Sequence, residues 1–310
     1  MVDIACFVET YNFLEREEAN ALERFKSVAA ELNHSFEFIS KRNLPQIPLY
    51  DALFIRATTD PSYTAYVASK IAWENKLTVL DDPHSIRICS NKIHMYKLLE
   101  KSRVPFIPSL YLAKDCLTEK KINEIFQQLG RPVVLKAPYT SFSKYVEKTE
   151  SNWGFRRICK RFFRRSDVVV AQKFVPTQFD WRLGILDDEV LYACKYFIPK
   201  GRWKHGTRIR GRDRIVWGRT KTIPRTETPG RLREVGVSAC KAIGAGLFGV
   251  DLKEVNGDFL VVEVNDNPSI YAGEEDRKDH DIYRRLIQYL VQTKTRSNRS
   301  SLHCEYERER

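Results

Sequence analysis

Residues 247–266 read LFGVDLKEVNGDFLVVEVND, the stretch that most tightly restricts how this chain can fold. Two nine-residue runs rich in β-forming residues flank Asn256-Gly257, a dipeptide suited to a tight hairpin turn. Folding about that turn lays residues 250–252 beside residues 262–264 and brings Asp251 alongside Glu263 and Asn265. Glu263 and Asn265 are two positions apart on one strand, so they project from the same face. An exposed polar strand face is the bland alternative. The apolar neighbours in FGVDL and LVVEV argue against it, and a buried acid pair without a cation is expensive. Two carboxylates and an amide oxygen are hard donors that suit Mg²⁺ held together with nucleotide phosphates.

The rest of the chain supplies a frame for that hairpin. Over residues 1–90, apolar runs at 2–8, 36–39, 52–55 and 78–80 alternate with helical patterns at 22–32 and 63–76. Such alternation predicts an α/β domain with a parallel sheet. From Ser90 the pattern changes. Residues 90–104 read as a helix with Ser90 as its N-cap, and a second helix is expected near 118–129. Strand-like runs follow at 132–136, 167–175, 181–186 and 189–198. A helix carrying Leu232, Val235, Ala239, Ala242 and Ile243 precedes the hairpin, and a last helix carries Ile282, Leu286, Ile287 and Leu290. This gives units at 1–90, 91–175 and 176–292, and a polar tail at 293–310 expected to be disordered. No internal repeat is evident.

At 310 residues and 43% hydrophobic content the chain can bury substantial cores. Its net charge of +12 is concentrated. Residues 156–165 contribute +6 and residues 200–221 contribute +8, leaving a body of about neutral charge. Anionic partners are expected: phosphates, an acidic acceptor or, as the minority reading, nucleic acid. The first basic segment reads either as a solvated helix face with Ile158, Phe162 and Phe163 inside or as an anion-binding patch over the cleft. Seven cysteines without a CxxC pair or zinc-like spacing read as reduced thiols. No stretch approaches a membrane span and the start lacks a secretory pattern, so a cytoplasmic location without membrane association is expected.

Lys136 ends an apolar strand, where a phosphate ligand is as expected as a solvated lysine. Residues 172–175 (QKFV) end another strand and offer backbone groups to an adenine edge; Asp180 offers an acceptor to ribose. In this order, and with FIRATTDPSYTAY (54–66), LDDPHSIRICSNK (80–92), SFSKYV (141–146), FVPTQFDWRLGIL (174–186), GVDLKEV (249–255) and VEVNDNPSI (262–270), the chain resembles the RimK-like, glutamate-ligase branch of the ATP-grasp superfamily. The resemblance runs from residue 2 to about 290. It implies a pre-ATP-grasp α/β domain followed by two α+β subdomains that clasp ATP, with two Mg²⁺ ions (Mn²⁺ as the substitute).

The resemblance implies a role for each residue in turn. Lys92 and Lys136 contact phosphates. The backbone at Gln172, Lys173, Phe174 and Val175 reads adenine, through the Lys173 carbonyl and the Val175 N–H. Asp180 accepts from ribose, Arg182 faces the phosphates or the acyl group, and Lys221 lies near the γ-phosphate. Asp251, Glu263 and Asn265 hold the metal. The phosphate-covering loop usually reads like DGSFSRGV; here YTSFSKYV (139–146) retains Ser141, Ser143 and Lys144 but has lost two glycines. The implied activity is carboxylate–amine ligation through an acylphosphate, on an acidic amino acid, a peptide or another anionic acceptor, with an amine donor. A phosphotransferase with a hydroxyl acceptor, or a binding protein of poor turnover on the same fold, are the competing readings.

Overall fold

A computed structural model describes residues 1–140, 145–208 and 215–292. The first sheet is parallel throughout, in the order β2-β1-β3-β4, from β1 (Asp3–Phe7), β2 (Ser35–Ile39), β3 (Ala52–Ile55) and β4 (Thr78–Leu80). Helices α1 (Arg16–Glu31) and α2 (Thr64–Glu74) form its crossovers. The strand–helix alternation is as the sequence predicts. β3 is apolar along its whole length and wholly buried, as strands covered on both faces are.

The helix expected from residue 90 is present but starts at Lys92, and a further short helix lies just before it. Helix α3 (Pro83–Cys89) is capped by Asp82, whose carboxylate accepts from the backbone of His84 and Ser85. Helix α4 (Lys92–Lys101) is capped by Asn91, whose side-chain oxygen accepts from Ile93 and His94. Ser90 is not the cap. Its backbone is still helical and its hydroxyl donates back to the Ile86 carbonyl at 2.6 Å, so its oxygen is aimed into the preceding turn.

A second sheet is antiparallel, in the order β5-β8-β6-β7, from β5 (Ser109–Ala113), β6 (Val133–Lys136), β7 (Val146–Thr149) and β8 (Val168–Lys173). Helices α5 (Glu119–Leu129), capped by Thr118, and α6 (Asn152–Phe162), capped by Ser151, bury Val133, Leu135, Val169 and Ala171 beneath them. Strand parity therefore sends Lys136 and Gln172 out of the opposite face.

The third sheet has the order β13-β10-β9-β14-β15 and is also antiparallel. It is built from β9 (Phe179–Leu186), β10 (Glu189–Phe197), β13 (Thr220–Ile223), β14 (Leu247–Val255) and β15 (Asp258–Asp266). A small ribbon, β11 (Gly206–Arg208) with β12 (Ile215–Trp217), lies between β10 and β13 in the chain. Helix α7 (Gly230–Ile243) covers one face together with α3 and α4. The hairpin turns at Asn256 and Gly257 with φ of 53° and 84°, the paired left-handed geometry for which Asn-Gly is suited.

The final helix, α8 (Ile282–Val291), returns to the first domain. Its Ile282, Leu286, Ile287 and Leu290 pack into one core with Ile4, Leu22 and Phe25, and Leu186, Tyr192 and Leu247 of the third sheet join the same cluster. Phe25 meets Phe54 and Tyr283 edge-on, with ring centroids 5.0 and 4.7 Å apart. Phe25→Ala should destabilise the whole protein by about 3–5 kcal/mol, read as a lower urea midpoint with an unchanged slope. A loss below about 1 kcal/mol would show that this core does not tie the two ends of the chain together.

Candidate active site

Register decides which side chains meet. Asp251 pairs with Glu263 across β14–β15 and with Arg182 across β9–β14, while Gly249 pairs with Asn265. All four functional side chains leave the same face. Arg182 closes a bidentate ion pair on Asp251, with Nε 2.5 Å from Oδ1 and Nη2 2.9 Å from Oδ2. Asn265 Nδ2 lies 3.3 Å from Asp251 Oδ2.

From the second sheet and α4 come the lysines. Lys92, at 5% exposure, places Nζ 3.8 Å from Glu263 Oε2 and donates to the Thr140 carbonyl at 2.5 Å. Lys136, at 4% exposure, donates to the Tyr96 hydroxyl at 3.2 Å. Gln172 is equally buried; its amide donates to Tyr96 and to Ser109, each at 3.0 Å. Tyr96 donates in turn to the Val262 carbonyl at 2.7 Å, fastening this network to the hairpin.

Desolvation and charge act against each other here. Burial lowers the affinity of Lys92 and Lys136 for their protons, and Glu263 partly restores it. Burial pushes Glu263 up, but Lys92, Lys136 and Arg182 together hold it below the usual carboxylate range. Burial pushes Asp251 up to about 6 despite Arg182. Toward the open end of β9, Asp180 Oδ1 accepts from Thr177 at 2.9 Å and from Lys253 at 2.5 Å. Lys173 is exposed, while Phe174 and Val175 are half-buried. The Lys148 ammonium sits 4.2 Å from the centroid of the Phe174 ring and 5.7 Å from that of Trp203.

Lys221 does not join this cluster. It pairs with Lys195, whose ammonium lies over the Phe179 and Trp181 rings, so both lysines leave the sheet on the face opposite Arg182. Its neighbour Thr222 points the other way and donates to the Glu274 carbonyl. The sequence offered no means of fixing that strand's parity. Ser141, Ser143 and Lys144 lie outside the described residues. Just beyond them, Tyr145 has φ 50°, a conformation glycine adopts freely. Its ring is held by an edge-on contact with Phe162 and by Arg165, 4.6 Å from its centroid.

Helix α6 buries Ile158 and Phe162 as expected, with Phe163 just beyond it. Because α6 packs on the sheet face opposite Lys136, its outward row of Trp153, Arg157, Lys160 and Arg164 does not overhang the cleft. Cys6, Cys89, Cys159, Cys194 and Cys240 have thiols pushed up by burial, Cys159 to about 12, which disfavours the thiolate.

Three partners escaped the sequence reading. Tyr96 lies one helical turn after Lys92, and Lys253 lies two residues after Asp251 on the same strand; both spacings were legible. Arg56 could not be found this way. It reaches 211 residues along the chain, donating to Asn267 Oδ1 at 2.7 Å and to the Pro268 carbonyl at 3.1 Å, and so clamps the loop that follows the hairpin.

Tyr196 stacks on His205 and lies beside Arg182, and its hydroxyl donates to Glu275 at 2.8 Å. Glu275 is fully buried, and burial pushes its carboxyl from the ordinary 4.5 up to about 7. Between those values the native state holds a proton that the unfolded chain has released. Stability should therefore fall as pH rises from about 4.5 to 7 and then level. Glu275→Gln should flatten that fall, so urea unfolding should find it gaining on the parent protein as pH rises; equal pH profiles would contradict the assignment.

No helix among the described residues is long and apolar enough to cross a membrane. No group of three or more His, Cys, Asp or Glu side chains among them forms a metal site. Asp251, Glu263 and Asn265 nevertheless fit a hard cation whose remaining ligands are phosphate oxygens. The family model for the RimK-like ATP-grasp domain matches residues 89–290. Glutamate–LysW ligase ArgX of Sulfolobus acidocaldarius is 21% identical over 296 residues, covering 93% of this chain and 97% of that protein. A probable alpha-L-glutamate ligase of Legionella pneumophila (strain Corby) is 22% identical over 246 residues, covering 79% and 77%. Among solved structures, a RimK domain ATP-grasp protein from Sphaerobacter thermophilus superposes with TM-score 0.68 at 16% identity, covering 94% of this chain and all of that one. D-alanine–D-alanine ligase from Bacillus anthracis gives TM-score 0.70 at 14% identity, covering 94% and 96%. These two likenesses establish the fold.

Proposed function

The chain belongs to the RimK-like ATP-grasp family, and we propose that it is an ATP- and Mg²⁺-dependent carboxylate–amine ligase working through an acylphosphate. The observation that carries this reading is the convergence of Lys92 from α4, Lys136 from the second sheet and Arg182, Asp251, Glu263 and Asn265 from the third into one largely buried cluster. The ligase names of its relatives support the same reading.

In this reading Lys92 and Lys136 hold the phosphates of ATP, with Ser141, Ser143 and Lys144 closing over them. The backbone at 172–175 reads adenine, with Phe174 beside it, and Asp180 accepts from ribose. Asp251, Glu263 and Asn265 would hold Mg²⁺, which neutralises charge on the transferring phosphoryl group. The substrate carboxylate attacks the γ-phosphorus and ADP leaves. An amine then attacks the acyl carbon and expels phosphate, and the nitrogen's proton passes to solvent. Lys136 stabilises charge on the oxygens in flight, and Arg182 grips the substrate's carboxylate. Lys221 has no part in this account. Lys92, Lys136 and Arg182 within the cluster favour an anionic substrate, such as an acidic amino acid or peptide.

ADP release should require a carboxylate and an amine together, and mass spectrometry should find the amide among panels of acidic amino acids and peptides. A phosphorylated product formed without amine would instead identify a phosphotransferase. Glu263→Gln should remain folded by circular dichroism and lose at least about a hundredfold in ADP release. Activity within about threefold of the parent would refute the metal role.

A further inference from the structure

Both oxygens of Asp251 are already taken by one guanidinium, at 2.5 and 2.9 Å. The guanidinium lies in a gap that Gly249 leaves open: a Cβ built there would meet Arg182 Nη1 at 3.0 Å and Pro268 Cβ at 2.7 Å. The Tyr196 ring flanks the guanidinium with its centroid 5.3 Å from Cζ. Asn265, the third hard donor, turns its Nδ2 toward Asp251 Oδ2 and the Gly249 carbonyl, both at 3.3 Å. The carboxylate most suited to a metal is thus already neutralised by a cation belonging to the protein.

We propose that Arg182 is an internal stand-in for the catalytic cation, neutralising Asp251 until the metal arrives with nucleotide and then passing to the substrate's carboxylate. This rests on the Mg²⁺–ATP reading of the site. It follows that metal alone binds weakly, because its apparent Kd is raised by the fraction of time the guanidinium occupies the carboxylate. It also follows that metal and nucleotide strengthen each other, since phosphates supply the missing ligands and stabilise the displaced positive charge; that coupling is reciprocal. Occupation of the carboxyl-binding position by Arg182 is thereby conditional on a loaded metal site, which orders the binding events.

The probe is Mn²⁺, titrated alone and with a non-hydrolysable ATP analogue, followed by electron paramagnetic resonance. Arg182→Gln should bind Mn²⁺ alone at least about tenfold more tightly than the parent, with Arg182→Lys in between, because a lysine is a single point charge rather than a fork. The analogue should tighten Mn²⁺ binding more in the parent than in Arg182→Gln. If Arg182→Gln binds Mn²⁺ alone no more tightly than the parent, the stand-in role is wrong. A crystal structure of the parent with Mn²⁺ and the analogue tests the same point without a variant: Arg182 should have left Asp251, and retention of both contacts would overturn the proposal. Failure of the parent to bind Mn²⁺ even with the analogue would overturn the underlying metal–nucleotide reading, an outcome distinct from either of these.

Discussion

The register of three antiparallel strands determines everything the cleft can do. Arg182 on β9, Asp251 on β14 and Glu263 on β15 occupy one cross-strand row, so a shift of one residue in either pairing would send an acid to the apolar face beneath α7. Two devices hold that register: the Asn256-Gly257 turn at one end and, at the other, the Arg56 clamp on Asn267 and Pro268. The first is local and the second joins residues 211 positions apart in the chain. The geometry of the row therefore depends on the first domain being folded and docked.

Buried charge gives the site its character. Lys92, Lys136, Arg182 and Lys253 face Asp180, Asp251 and Glu263, an excess of one positive charge among these side chains. In a low-dielectric setting such an imbalance is unfavourable on its own and becomes favourable when an anion enters. Burial lowers the proton affinity of both lysines, and the neighbouring acids offset it in part. Packing, hydrogen bonding and charge thus agree in leaving the pocket poised for a polyanionic guest.

Much of this was legible in the sequence because it is local. The hairpin and its turn follow from a two-residue period and one dipeptide, but regular pairing from that turn would set Asp251 opposite Val262; a bulge between Asp251 and Leu252 shifts the ladder by one and puts Asp251 opposite Glu263. The parallel first sheet follows from strand–helix alternation. What failed was parity and capping at short elements. Four residues of β13 carry too little pattern to say which face Lys221 takes. At residues 90–91 two adjacent polar residues compete to cap a helix, and the break that assigns Ser90 to α3 is set by Asp82, eight residues upstream. The basic helix α6 left two readings open for a related reason: its amphipathic period identified its buried face correctly but carried no information about which side of the sheet it would cover.

The return of α8 to the first domain has a consequence for how the protein is made. Ile282, Leu286, Ile287 and Leu290 complete a core begun by Ile4, Leu22 and Phe25, so the domain encoded first is finished last. During synthesis the apolar flank of α1 stays uncovered while two further subdomains are added, and the emerging chain cannot fold domain by domain from its start. The second sheet, with its own helices α5 and α6, has a core that draws on neither terminus. Assembly of the cleft therefore waits for nearly the full polypeptide, and nascent chains arrested short of α8 are natural clients for chaperones and proteases.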